Sequence, residues 1–228
     1  MDMPASTRSL RSGAPEVEWV VETARIAYPA AVAGMQAHVA GMVAGEVGER
    51  VWLLEHPPLY TAGTSAKAAD LQAPDRFPVF DAGRGGQWTY HGPGQRVAYV
   101  MLDLNRAHGG IRPRDLHAYV EGLEEWLIRA LTRFGVRGER RQGRIGVWVV
   151  DKANGSENKV AAIGVRVTKW MSWHGVALNV NPALDHFDGI VPCGIRQHGV
   201  TSLHALGSSA TMAEVDSALR QTWTDVFE

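Results

Sequence analysis

Apolar positions in this chain gather into a few continuous runs and two long helical stripes, separated by polar or glycine-rich stretches. The run R-V-W-L-L-E at 50–55 predicts a buried strand, and His56-Pro57-Pro58 stops it because proline brings no ladder donor. R-V-A-Y-V-M-L-D-L at 96–104 predicts the strongest strand of the first half. Three more strands are predicted in close order at 145–150, 159–167 and 170–180. The polar stretch D-K-A-N-G-S-E-N at 151–158 joins the first two as a hairpin loop. Helical spacing marks residues 29–46, alanine-rich despite their glycines, and residues 112–134. The latter carry a stripe of Leu116, Tyr119, Val120, Leu123, Leu127, Ile128 and Leu131 behind an Asp115 cap, with Gly135 as the stop. Thr211-Met212-Ala213-Glu214 is a capping box that opens a final helix to about Phe227. Residues 60–76 read as a long surface loop and 78–81 as a short strand. This order of elements predicts an α/β fold, a mixed sheet flanked by helices whose later part is mainly antiparallel. It fills one domain over 17–228, behind a flexible tail at 1–16.

Composition narrows the class. Hydrophobic residues make up 45% of the 228 and charged residues 21%, which suits a globular protein with a full core. The net charge of −1 gives no field for nucleic acid or an anionic membrane. No apolar run reaches the ~18 residues of a membrane span, and residues 1–16 hold no apolar segment of the secretory kind. A single cysteine forms no internal disulfide, which fits a reducing cytoplasm.

That cysteine, Cys193, stands between Pro192 and Gly194 within F-D-G-I-V-P-C-G-I-R-Q-H-G. Proline fixes its own φ, and glycine tolerates conformations that other residues avoid, so the triplet suits a thiol held on a tight bend. Most lone cysteines are buried packing residues, and the triplet by itself leaves both roles open. A second candidate is the loop G-R-G-G-Q-W-T-Y-H-G-P-G-Q at 83–95, where glycines specify backbone shape and polar side chains sit between them. It suits a substrate cradle better than a plain connection and matches no nucleotide-binding fingerprint. Lys159 opens K-V-A-A-I-G-V-R-V, so its ammonium is expected at a partly buried mouth. The histidines His91, His174, His198 and His204 read as hydrogen-bonding residues, because neither H-E-x-x-H nor a cysteine cluster accompanies them. Among the eight tryptophans, Trp88 and Trp173 are expected nearest a ligand. Arg137, Arg140, Arg141 and Arg144 form the densest positive cluster, a candidate docking patch for an acidic partner or else a solvated turn.

Taken in order, five motifs resemble the lipoyl(octanoyl) transferases: E-H-P-P-L-Y-T-A-G-T at 55–64, R-G-G-Q-W-T-Y-H-G-P-G-Q at 84–95, K-V-A-A-I-G-V-R-V at 159–167, W-H-G-V-A-L-N-V at 173–180 and G-I-V-P-C-G-I at 189–195. The resemblance implies the catalytic core shared with biotin and lipoate ligases. It implies transfer of an octanoyl group from acyl carrier protein to a specific lysine of lipoyl domains, with no cofactor and no metal. Matched residue by residue, Cys193 takes the place of the acyl-thioester nucleophile and Lys159 that of the residue lowering its pKa. Arg84, Gly85, Gly86, Gln87, Trp88, Thr89, Tyr90 and His91 take substrate-contacting positions, as do Ala162, Ile163, Gly164, Gly175, Val176 and Ala177. The acceptors implied are lipoyl domains of 2-oxoacid dehydrogenase acyltransferase subunits and the glycine cleavage H protein. The tail and the 151–158 insertion depart from the shorter family pattern. Two rivals remain at this stage: an ATP-dependent lipoate or biotin ligase, which needs no nucleophilic cysteine, and a non-catalytic acyl-domain binding protein. A cysteine thioesterase is a third, told apart by free octanoate as sole product.

Overall fold

The computed structural model describes residues 17–151, 154–191 and 199–228. Pro192, Cys193, Gly194 and His198 lie outside these residues, as does the tail at 1–16. The main sheet runs β1 (Glu18–Val21), β2 (Arg50–Leu54), β6 (Gln95–Met101), β9 (Met171–Asn179), β8 (Glu157–Thr168) and β10 (Gly199–Val200), with β7 (Val147–Val150) also paired to β8. Only β1–β2 and β8–β10 are parallel within it. A smaller sheet, β4 (Val79–Asp81), β3 (Leu59–Ala62) and β5 (Thr89–His91), stands beside it.

The central strands are buried on both faces, which is why they read as continuous apolar runs. All seven residues of β6 and all nine of β9 are buried. Along β6 the side chains alternate: Val97, Tyr99 and Met101 pack with Met35, Val39 and Met42 of α1 (Tyr28–Ala44). Ala98 and Val100 face the other layer, α2 (Leu116–Thr132) and α3 (Met212–Phe227). Trp126 locks those two helices together by donating its indole N–H to the Leu219 carbonyl at 2.7 Å. The expected caps are in place: Asp115 accepts from the Ala118 N–H, and Thr211 and Glu214 form a full capping box. α1 ends at Ala44 because Gly45 takes the left-handed conformation at φ 74°. No helix among the described residues is long and apolar enough to cross a membrane.

Two expectations for the first half are corrected. Residues 60–76 are not all surface loop, since β3 begins the stretch and Tyr60 is fully buried. The glycine-rich stretch also contains a strand, β5, whose Leu59↔His91 and Thr61↔Thr89 partners tie it to β3.

The long strand β8 organises the remainder. Lys159 has Trp148 of β7 as partner on one edge and Val200 of β10 on the other. Beyond that point β9 takes over, with Gly164 opposite Gly175. Both glycines are sites of close approach. A Cβ on Gly175 would lie 2.3 Å from the Ala98 carbonyl oxygen, and one on Gly164 would lie 2.7 Å from Cδ of Arg84.

Candidate active site

A cavity of about 370 Å³ opens between the central strands and the glycine-rich loop. That is within the range of small-ligand sites. β8 contributes Lys159, Ala162, Ile163 and Gly164, and β9 contributes Gly175, Val176 and Ala177. Arg84, Gly85, Gly86, Gln87, Trp88, Thr89 and His91 supply the facing wall. Three stretches far apart in sequence thus converge on one space.

The glycine-rich loop is held by backbone bonds to the turn after β3. Thr64 and Ser65 N–H groups donate to the Arg84 and Gly86 carbonyls at 2.8 and 3.0 Å. Gly63 N–H donates to the Gln87 carbonyl at 3.2 Å. The Arg84 guanidinium, buried beneath the loop, donates to the Gly85 and Gln87 carbonyls and to Thr61 Oγ1 at 2.8 Å. Gly164 leaves the room for that side chain. Arg84 therefore shapes the cradle by pinning its backbone to β3.

Lys159 is 7% exposed, and its Nζ donates to the Ile145 carbonyl at 2.9 Å. The ammonium also lies 4.7 Å from the Trp148 ring centroid, a cation–π contact that offsets part of its desolvation. The expectation of a cation at a partly buried mouth matches this placement.

Sequence reasoning missed a polar chain along the cavity floor. His91 Nδ1 donates to Gln95 Oε1 at 2.7 Å, Gln95 Nε2 donates to Asn179 Oδ1 at 2.9 Å, and Asn179 Nδ2 donates to the Thr201 carbonyl at 2.9 Å. Thr201 N–H in turn donates to the Lys159 carbonyl at 2.9 Å. Gln95 and Asn179 lie within the very motifs that name the family, so the signal was there. Tyr28, Val97, Tyr99, Val120 and Ile145 also line the cavity, and no motif flagged them.

Three histidines at or directly behind this floor are held neutral. His56 donates Nδ1–H to the Ile26 carbonyl at 2.6 Å, leaving Nε2 to accept the Tyr99 hydroxyl at 2.7 Å. Burial pushes its pKa down from 6.5 to about 4. His174, stacked on Trp173 with ring centroids 4.7 Å apart, is pushed down to about 3 by burial and by the nearby Arg84 and Arg166. Burial, with His56 and Arg84 close by, holds His91 well below the usual range. Unfolded, each would bind a proton near 6.5, so acid favours the unfolded chain. The stability they contribute is full above pH 6.5 and is lost as pH falls toward their folded values. Between pH 7.5 and 5.5 the three together are expected to remove about 4 kcal/mol of unfolding free energy. Denaturant titrations at the two pH values measure this, and equal free energies would mean that the site carries charged histidines.

Four expectations need correction. Tyr90 does not line the cavity: within β5 its side chain points opposite to those of Thr89 and His91. It packs instead among Tyr60, Phe77 and Phe187, with its hydroxyl 2.8 Å from His186 Nδ1. Trp88 is on the cavity wall, but Trp173 is in the core against α1. The arginine cluster is not an open positive patch, because Glu139 within it and glutamates on neighbouring elements pair with it. Arg137 binds Glu139 at 3.1 Å, Arg140 binds Glu125, and Arg141 and Arg144 both bind Glu157. Glu157, at the end of the 151–158 insertion, opens β8 rather than sitting in a loop. His204 is a hydrogen-bonding residue as expected, its Nε2 2.9 Å from the Ala210 carbonyl.

Comparison with known proteins shows the family. The fold matches solved lipoate ligases, among them the bipartite archaeal ligase of Thermoplasma acidophilum (TM-score 0.65, 14% identity, 92% of this chain and 84% of that one). A lipoate-protein ligase A bound with ATP matches at TM-score 0.63 and 12% identity, over 92% of this chain and 85% of that one. At such identities the likeness shows the fold alone. Sequence relatives are far nearer. The octanoyltransferase of Gluconacetobacter diazotrophicus is 65% identical, covering 92% of this chain and 90% of that one. The octanoyltransferase of Acidiphilium cryptum is 59% identical, covering 97% and 96%. Residues 27–224 match the family of lipoyl protein ligase A/B catalytic domains. On these grounds the chain belongs to the octanoyltransferases, the acyltransferase branch of that family that places octanoyl or lipoyl groups on lysines of lipoyl domains.

Proposed function

We propose that the chain takes an octanoyl group from acyl carrier protein as a thioester on Cys193 and passes it to the acceptor lysine of a lipoyl domain. The acceptors would be 2-oxoacid dehydrogenase acyltransferase subunits and the glycine cleavage H protein, in a reducing cytoplasm that keeps the thiol free. The observation that carries this reading is Lys159, a buried ammonium on the wall of a largely apolar cavity. The chain re-enters the described fold at Gly199, opposite Asn158, with Val200 opposite Lys159. Covalent connectivity from there makes Cys193 a near neighbour in sequence of the strand beside the lysine.

In the first half-reaction the Cys193 thiolate attacks the thioester carbonyl, and the tetrahedral adduct collapses by breaking the bond to the carrier sulfur. The departing thiolate takes a proton from the Lys159 ammonium. In the second, the neutral amine of the acceptor lysine attacks the acyl-Cys193 carbonyl and gives its extra proton to the now neutral Lys159. The C–S bond breaks, leaving an amide, a thiolate and an ammonium, so the starting state is restored. Thioester exchange is nearly isoenergetic and amide formation is downhill, so no nucleotide is consumed. Val97, Ile163, Val176 and Ala177 offer apolar wall for the acyl tail. Burying its six methylenes at ~0.8 kcal/mol each would contribute about 5 kcal/mol.

The test uses purified protein, octanoyl-acyl carrier protein and an unmodified lipoyl domain, without nucleotide. Octanoylation of the domain is expected. A strict requirement for ATP would make the protein a ligase, and free octanoate as sole product would make it a thioesterase.

A further inference from the structure

Glu124 lies on α2, outside every motif that names the family, and is 6% exposed. Its Oε1 accepts the N–H of Gly146 at 2.9 Å. That N–H belongs to the same peptide group as the Ile145 carbonyl, which accepts from Lys159 Nζ at 2.9 Å. A peptide group is planar, and in the trans form its N–H and C=O point in opposite directions. Fixing one end therefore fixes the other. One peptide plane is clamped between a carboxylate on α2 and the ammonium on β8.

The surroundings leave this plane little freedom. Gly146 has φ 123°, and a Cβ there would lie 2.7 Å from the Ala161 carbonyl oxygen. The same Cβ would lie 3.1 and 3.2 Å from Cε and Nζ of Lys159, so the lysine's end rests against the bare Cα of this glycine. Arg140 Nε stands 3.9 Å from the second oxygen of Glu124 and steadies the carboxylate. Lacking Glu124, a buried N–H would lose its acceptor, and the 145–146 peptide could rotate to find another.

We propose that Glu124 is a positioning residue for the reaction: through the Ile145–Gly146 peptide it aims the carbonyl that sets the place of the Lys159 ammonium. The inference rests on the role given above to Lys159. Reach, not charge, is what the geometry asks of Glu124. Glutamine keeps an acceptor oxygen at the same distance, whereas aspartate keeps the charge and falls one methylene short.

The experiment compares Glu124→Gln, Glu124→Asp and Lys159→Ala by melting temperature, by turnover with octanoyl-acyl carrier protein, and by iodoacetamide alkylation at pH 7. Cys193 is the only thiol in the chain, so alkylation reports on it alone. Glu124→Asp is expected to lower kcat and the alkylation rate by roughly ten-fold or more, with KM for the donor little changed. Glu124→Gln should stay within about three-fold of the parent in both, because its amide oxygen still reaches the Gly146 N–H. A purely structural role would show instead as a lower melting temperature in Glu124→Asp with alkylation of the folded protein unchanged. Should the aspartate variant fail to fold, Gly146→Ala displaces the same peptide and is expected to slow alkylation likewise. Parent-like alkylation in Glu124→Asp or the reverse ranking of the two variants, with Lys159→Ala slow, overturns the relay and spares the lysine. Parent-like alkylation in Lys159→Ala itself overturns the role of the lysine on which the relay depends.

Discussion

Replacement of Cys193 by alanine is expected to leave a folded protein that has lost acyl transfer. The substitution removes one heavy atom, so unfolding free energy should hold within about 1 kcal/mol. Activity is another matter. The chain holds one cysteine, so no second thiol can take over the covalent step. Direct attack by the acceptor amine on the carrier thioester would then be the remaining route, helped only by binding. Loss of a covalent nucleophile of this kind lowers kcat by roughly 10³-fold or more. Steady-state transfer to a lipoyl domain measures it, with a melting curve as the control for folding. A variant that kept half the parental rate would show that the acyl group never rests on Cys193.

The second large effect concerns Lys159. A free cysteine of pKa ~8.5 is only about 3% thiolate at pH 7. Lowering that value by ~2 units raises the thiolate to about 75% and needs about 2.7 kcal/mol of differential stabilisation. One ammonium about 4 Å from sulfur supplies up to ~4 kcal/mol at an effective dielectric of ~20, before its own desolvation is counted. Lys159 meets part of that desolvation with the Ile145 carbonyl and the Trp148 ring. No metal or histidine is needed to reach the required figure. Lys159→Ala is accordingly expected to raise the pH midpoint for iodoacetamide alkylation of Cys193 by about 2 units. Lys159→Arg keeps the charge but gives up no proton near neutrality, so it should restore alkylation better than turnover. An alkylation midpoint unmoved in Lys159→Ala would uncouple the pair. Neutral His91, whose Nδ1–H is committed to Gln95, would then be the next group to test.

How much of this was legible in the sequence depends on how each element earns its stability. β6 and β9 could be read because strands covered on both faces need long apolar runs, and α2 and α3 because their caps are written in local side chains. β1, β3 and β5 span only three or four residues, too short for a periodicity to stand out. β5 was hidden further by the glycines around it, and with it the alternation that turns Tyr90 away from the cavity. The motifs placed Lys159, Arg84 and His91 on one site, but not what each does there. Arg84 was expected to touch substrate, and its bonds to Thr61, Gly85 and Gln87 show that it builds the loop. The arginine cluster looked like a docking surface because most of its partners come from elsewhere: Glu139 stands inside it, but Glu124 and Glu125 come from α2 and Glu157 from the far side of a hairpin. Pairings of that range carry no local signal. Glu124 was unreadable for the same reason, since its importance passes through a backbone peptide 22 residues away.

The central claim is that the acyl group becomes covalently attached to Cys193 before any acceptor is present. Intact mass of the protein after brief incubation with octanoyl-acyl carrier protein alone tests it most directly. The account predicts a gain of one octanoyl group, mapped by peptide fragmentation to Cys193, absent from Cys193→Ala and discharged when a lipoyl domain is added. An unmodified protein that nonetheless octanoylates the lipoyl domain would contradict it.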